Sequence, residues 1–147
     1  SMLDGVYDLH QMLAEDGYIA VDFHAGNLLV NLLEETMRVC DVDLYRKKPA
    51  VNDRGRMYGS SRFMSPEEFE LHAPLTERTT VFNLGALAFE VFGDNMDRRK
   101  KAWCGPPVLF DVAARATQAK PAQRYPTVRA FLTAWREAVK YVNNEKE

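Results

Sequence analysis

No G-x-G-x-x-G occurs anywhere in this 147-residue chain, so the chain carries no glycine-rich phosphate cradle of its own. Cysteine is scarce as well. Cys40 and Cys104 are too few for a disulfide framework or a cysteine metal cluster, which fits a reducing cytoplasm. No apolar run approaches the roughly 20 residues of a membrane span, and no secretory leader pattern is present, so no membrane partner is expected. The formal net charge of −2 lacks the basic excess of a general nucleic-acid binder. Internal repeats and low-complexity tracts are missing too.

What is present is ordinary for one globular domain. Hydrophobic residues make up 46% and charged residues 27% of the chain. A single domain over residues 1–147 is expected, burying about 70% of its unfolded surface. Ser1-Met2 reads as an expression remnant and a start, and residues 143–147 as a frayed tail. Val6, Leu9 and Leu13 form a helical stripe in a segment running from Leu3 to Glu15 and ended by Gly17. Leu28–Val30 and Met37–Cys40 are short apolar runs flanking a polar turn, the pattern of a small hairpin. Tyr45 to Arg62 shows no sustained period and reads as a loop. Ser65-Pro66-Glu67-Glu68 is a helix start with a capping box. Further helices are expected over Thr79–Phe92, stopped by Gly93, over Val108–Gln118, and from near Pro126. The last shows Val128, Phe131, Leu132, Trp135, Val139 and Val142 on one face.

The chemistry concentrates in Tyr18–Val30, YIAVDFHAGNLLV, and Val39–Leu44, VCDVDL. Asp22 and Asn27 are separated by four residues, and Asp41 lies beyond the hairpin. An aspartate to orient a hydroxyl, with an asparagine and a second aspartate as oxygen ligands for Mg²⁺, is the minimum set for phosphoryl transfer.

Five segments in order resemble the large, C-terminal lobe of the protein-kinase fold, along nearly the whole chain. Asp22-Phe23-His24-Ala25-Gly26-Asn27 resembles the catalytic loop, and Asp41-Val42-Asp43 stands where the family has Asp-Phe-Gly. Gly59-Ser60-Ser61-Arg62-Phe63-Met64-Ser65-Pro66-Glu67 resembles the end of an activation segment, with Ser-Pro-Glu for Ala-Pro-Glu. Thr80–Gly85 resembles the start of the central helix, and Lys120-Pro121-Ala122-Gln123-Arg124 the late motif whose arginine pairs with the Ala-Pro-Glu glutamate. GSSRFMSPEEF and the loop before it resemble a bacterial branch of Ser/Thr protein-kinase-like proteins. The fold class implied is mainly α, a helical kinase C-lobe with a small β-hairpin near the catalytic loop. The small lobe, with its Gly-rich strands and lysine, is not in this sequence; the resemblance makes it the expected partner, contributed by a longer parent.

By that resemblance, ATP and Mg²⁺ are the cofactors of the parent and a protein hydroxyl is the substrate. Asp22 is the base or orienter, Asn27 and Asp41 bind Mg²⁺, and Leu29, with Leu28, forms part of the adenine floor. His24 falls where protein kinases carry lysine; it donates to the transferred phosphate or braces the loop. Asp-x-His-x-Gly-Asn also resembles aminoglycoside-type phosphotransferases, a second reading. Glu67 and Arg124 are expected as a buried ion pair. Ser60 and Ser61 are candidate phosphorylation sites.

The departures favour a third reading, a pseudokinase scaffold. Ala20-Val21 replaces His-Arg, removing the arginine that would read a phosphorylated loop. Asp43 replaces glycine and either strengthens metal binding beside Asp41 or, the preferred reading, caps a turn, and Thr80 replaces the aspartate that anchors the catalytic loop. Arg46, Lys47, Lys48, Arg54 and Arg56, with Asp53 as the one acid among them, read as a solvated face or as a site for an acidic partner. Arg98–Lys101 reads as an exposed loop, and Trp103 and Trp135 as core. Without the small lobe, catalysis is expected to fail. Exposed leucines would favour a homo-oligomer through the open cleft.

Overall fold

Thr76 sets the start of the central helix. Its hydroxyl accepts from the Arg78 N–H at 3.2 Å, and the Thr79 hydroxyl accepts from the Thr76 N–H at 3.1 Å, satisfying first-turn donors reciprocally. The helix, α2, then runs over Glu77–Phe92 in the computed structural model, which describes residues 2–147. Every side chain from Thr79 to Phe89 is buried, so the helix has no solvent face over that stretch. Gly85 is required there by packing: a Cβ on it would lie 2.7 Å from the Cβ of Ala116 on the next helix. Its absence lets α3, Pro107–Ala116, pack directly on α2.

Two more helices complete the bundle. α1, Asp4–Glu15, and α4, Val128–Glu145, pack together and on α2. Thr127 caps α4 by accepting from the Ala130 N–H at 3.0 Å. Tyr7 joins the three helices. Its hydroxyl donates to the Leu84 carbonyl at 3.0 Å, and its ring meets Phe131 and Trp135 edge-on at 5.3 and 5.6 Å. Trp103 packs on Phe89, Phe92 and Phe110, extending the aromatic core.

Among the described residues, three two-stranded antiparallel ribbons lie outside the bundle. β1 (Tyr18–Ile19) pairs with β4 (Arg46–Lys47), β2 (Leu28–Asn31) with β3 (Thr36–Val39), and β5 (Ala50–Val51) with β6 (Pro74–Leu75). The structure is mainly helical with small strand pairs. Among the described residues no helix is long and apolar enough to cross a membrane.

Some expectations shift. The buried stripe of α1 is Val6, Tyr7, His10 and Ala14; Leu9 and Leu13 are only half-buried, because α1 is wedged between α4 and the β1–β3 region and turns its Tyr7–His10 face inward. The segment read as loop contains β4 and β5, whose partners lie far off in sequence, so no local alternation marks them. The turn after Ser65 is one 3₁₀ turn, Pro66–Phe69, that ends as the chain extends at Glu70. The tail expected to fray from Asn143 stays helical to Glu145, since extending a packed helix costs little once it is nucleated. Ser1, read as a remnant, lies outside the described residues.

Candidate functional site

β1 delivers the chain to the site. Ala20 and Val21 are buried, and the Ala20 N–H donates to the Thr80 hydroxyl of α2 at 3.0 Å. Thr80 thus anchors the loop with one neutral hydrogen bond. The next residue, Asp22, takes φ of 60°, a left-handed conformation uncommon outside glycine but tolerated by aspartate. Three contacts hold it there. The Asn27 side-chain amide donates to the Asp22 carbonyl at 2.8 Å. Phe23 is buried edge-on between His10 at 5.1 Å and Phe63 at 6.0 Å. His24 caps the turn Ala25–Asn27 by accepting from the Gly26 N–H through Nδ1 at 3.0 Å.

That capping bond settles the tautomer of His24. With Nδ1 an acceptor, the neutral ring carries its proton on Nε2, which faces Asp22 Oδ1 at 3.4 Å. Of the two roles expected for His24, bracing the loop is the one its contacts display. Asp22 and His24 are each partly exposed, at 29% and 28% of their side-chain area, so both reach solvent from a fixed base.

Asn27 and Asp41 are brought together by the hairpin. The Cys40 N–H donates to the Asn27 carbonyl at 2.8 Å, which sets Asp41 next to that pairing. The Asn27 amide nitrogen is committed to Asp22, and its side-chain oxygen is the group suited to a hard cation. Asp41 Oδ1 accepts from the Asp43 N–H at 2.8 Å, leaving Oδ2. Asp43 was expected to cap this turn; Asp41 does so instead, since the turn places the Asp43 N–H toward the preceding carboxylate. No group of three His, Cys, Asp or Glu side chains able to hold a metal occurs among the described residues. Asn27 Oδ1 and one carboxylate oxygen of Asp41 suit Mg²⁺ that keeps waters and phosphate oxygens, rather than an all-protein cage.

The segment carrying Ser60 and Ser61 passes beside Asp22. Gly59 takes φ of 135°, and a Cβ on it would lie 3.6 Å from the Asp22 Cα. Arg56 holds this bend by donating to the Met57 and Gly59 carbonyls at 3.0 Å each. Other basic residues have partners too: Arg46 pairs with Asp53 at 3.0 Å, Lys47 lies over the Tyr18 ring and Arg54 over the Tyr58 ring. Arg98 donates to the Arg62 carbonyl at 2.5 Å and Arg99 pairs with Asp97. Such residues are committed within the chain.

Leu29 stands 66% exposed on the hairpin beside Val30, Leu32 and Leu33, while Leu28 packs on the core. A larger groove, about 710 Å³, lies elsewhere, lined by Pro66, Leu71, Ala73, Pro121 and Pro126. Its buried carboxylate, Glu67, is paired with Arg124. The two Arg124 terminal nitrogens meet the two Glu67 oxygens at 2.5 and 3.0 Å. Burial pulls the Glu67 pKa up, but the Arg124 hydrogen bonds and charge outweigh it and hold the carboxyl below its usual range. Burial pushes the neighbouring Glu68 up to about 7, against hydrogen bonds from Ser65 and Asn83 that pull it down.

Two residues escaped the sequence reading. Tyr45 and His10, 35 positions apart, share a 2.6 Å hydrogen bond. Burial lowers the His10 pKa to about 4, against a Val6 carbonyl contact that raises it. The Tyr45 phenol is pushed up by burial and by the charges of Asp22 and Asp41. Only the helical spacing of His10 with Val6, Tyr7 and Ala14 hinted at its burial.

No protein-family model matches this chain, and no curated protein matches it.

Proposed function

We propose that the chain is the large lobe of a Ser/Thr protein-kinase-like phosphotransferase, moving the γ-phosphate of ATP to a protein hydroxyl. The observation that carries this reading is the Asn27 amide bond to the Asp22 carbonyl. One side chain fixes the loop aspartate, while the backbone carbonyl of the same residue pairs with the Cys40 N–H, next to Asp41. Asp22 accepts a hydrogen bond from the attacking hydroxyl, aligns it and takes its proton late. His24 Nε2–H, facing Asp22, steadies that carboxylate. Asn27 and Asp41 would hold Mg²⁺, which when bound neutralises phosphate charge. Leu29, with Leu28, supplies the adenine floor. The exposed leucines of the hairpin suit a small lobe carried by a longer parent. The exposed thiols of Cys40 and Cys104 agree with a cytoplasmic setting.

Phosphate transfer from labelled ATP with Mg²⁺, measured in the longest natural polypeptide containing these residues, tests the reading. Transfer that disappears in Asp22→Asn is expected. A second reading, a pseudokinase scaffold, is favoured by the single Thr80 anchor and by the Asp41 oxygen already taken by Asp43. Mg²⁺-ATP binding with no transfer, in a folded polypeptide, would select it.

A further inference from the structure

We infer that Tyr45 is a positioning residue, tying the turn that carries Asp41 to helix α1 through a partly buried hydrogen bond to His10. The inference rests on the proposed role of Asp41 as a metal ligand, but the tether itself is a matter of geometry. From Asp41 to Tyr45 the chain forms a short turn closed by two bonds, Asp43 N–H to Asp41 Oδ1 at 2.8 Å and Tyr45 N–H to the Val42 carbonyl at 3.0 Å. Its upstream end is pinned by the Cys40 N–H on the Asn27 carbonyl. Val42 and Leu44 are exposed at 37% and 42%, so neither roots the turn in the core. At the downstream end, before β4 begins at Arg46, Tyr45 is the residue that does so, through its ring packed on the core and its hydroxyl on His10.

The direction of that bond is fixed by the partner atoms. His10 Nδ1 lies 2.7 Å from the Val6 carbonyl, which only accepts, so Nδ1 carries the ring proton. Nε2 of the neutral ring must then accept, and the Tyr45 hydroxyl donates to it at 2.6 Å. His10 is 1% exposed, and its ring also meets Phe23 edge-on at 5.1 Å, one residue from Asp22. One imidazole on α1 therefore touches the residue beside Asp22 and the residue that closes the Asp41 turn. The distance between catalytic loop and metal-ligand turn is set by a common strut outside the site.

Tyr45→Phe removes the hydroxyl and keeps the ring. The first readout needs no metal: hydrogen exchange at the Asp43 and Tyr45 amides, expected to speed up about threefold to tenfold when one net hydrogen bond is lost. The second uses Mn²⁺ alone as a paramagnetic probe, reading line broadening of the amides of residues 22–27 and 40–43. The Mn²⁺ concentration for half-broadening should rise by a similar factor, about threefold to tenfold. His10→Phe should reproduce both changes, the double variant should add nothing, and His10→Gln, which restores an acceptor, should recover part of the loss. Unchanged exchange in Tyr45→Phe overturns the tether whatever Mn²⁺ does. Faster exchange with unaltered Mn²⁺ broadening overturns the positioning role. Absence of broadening in the unmodified chain overturns the metal-site reading, and the exchange data then judge the tether by themselves.

Discussion

Removing Arg124 should unfold this domain at a markedly lower temperature, and the structure sets the size of the effect. Arg124 is 1% exposed, and each of its five guanidinium N–H groups has an acceptor. Nε donates to the Gln118 carbonyl at 2.7 Å; the terminal nitrogens donate to Glu67, and also to the Arg78 and Ala119 carbonyls at 3.1 Å each. One side chain thus ties the 3₁₀ turn holding Glu67 to the first turn of α2 and to the chain leaving α3. Arg124→Met would leave three carbonyls without the guanidinium and the buried Glu67 carboxylate with the Thr79 hydroxyl, at 3.1 Å, but no counter-charge. Breaking one partner of such a pair costs about 3–5 kcal/mol, against a whole-domain stability of about 5–15 kcal/mol. At about 2–4 °C per kcal/mol for a domain of this size, the midpoint should fall by about 6–20 °C. Arg124→Lys keeps the charge but at most three donors, and should fall between the two. Glu67→Leu combined with Arg124→Met removes both charges and should recover much of the loss. Calorimetric melting of the four proteins is the assay. A midpoint within about 3 °C of the parent for Arg124→Met, or a double variant that melts no higher than Arg124→Met, would refute the reasoning.

The pH dependence of stability should show two opposed contributions. Glu68, raised from 4.5 to about 7, binds its proton more tightly when folded, so its contribution falls as pH rises from 4.5 to 7. His10, lowered from 6.5 to about 4, stays neutral when folded, so its contribution rises between pH 4 and 6.5. Each amounts to something on the order of 3 kcal/mol, and they oppose one another between pH 4.5 and 6.5. Glu68→Gln should therefore show stability climbing across that window and His10→Gln stability falling, in denaturant melts at half-unit intervals; parallel profiles would contradict this. Gly85→Ala would put a methyl 2.7 Å from the Ala116 Cβ, and overpacking of that kind costs about 1–3 kcal/mol, read as a lower denaturant midpoint. Leu29→Ser with Leu33→Ser should leave melting almost unchanged and reduce concentration-dependent sedimentation, since these side chains are exposed at 66% and 97%. A parent chain that is monomeric at every concentration would remove the basis for that expectation.

Local interactions wrote much of this protein in its own sequence. The largely apolar run from Val81 to Phe89, broken by Asn83 and followed by Gly93, marks a helix buried on all sides, and the Ser65–Glu68 spacing marks a capped turn. The runs at Leu28–Val30 and Met37–Cys40 are near enough to close a hairpin. The links from Asp22 to Asn27 and from Asn27 to Cys40 lie within a loop and a hairpin, both local structures. Tertiary structure decided the rest. Strands of two residues such as β1 and β4 have no pattern of their own and exist because a distant partner supplies their hydrogen bonds. The role of Asp41, rather than Asp43, as the turn's cap follows from which N–H the backbone presents. The burial of His10 and its bond to Tyr45 depend on where α1 packs, and no periodicity encodes a contact across 35 residues. Sequence specifies what short stretches of chain do by themselves; only the packed fold determines which distant polar groups must satisfy one another once water is excluded.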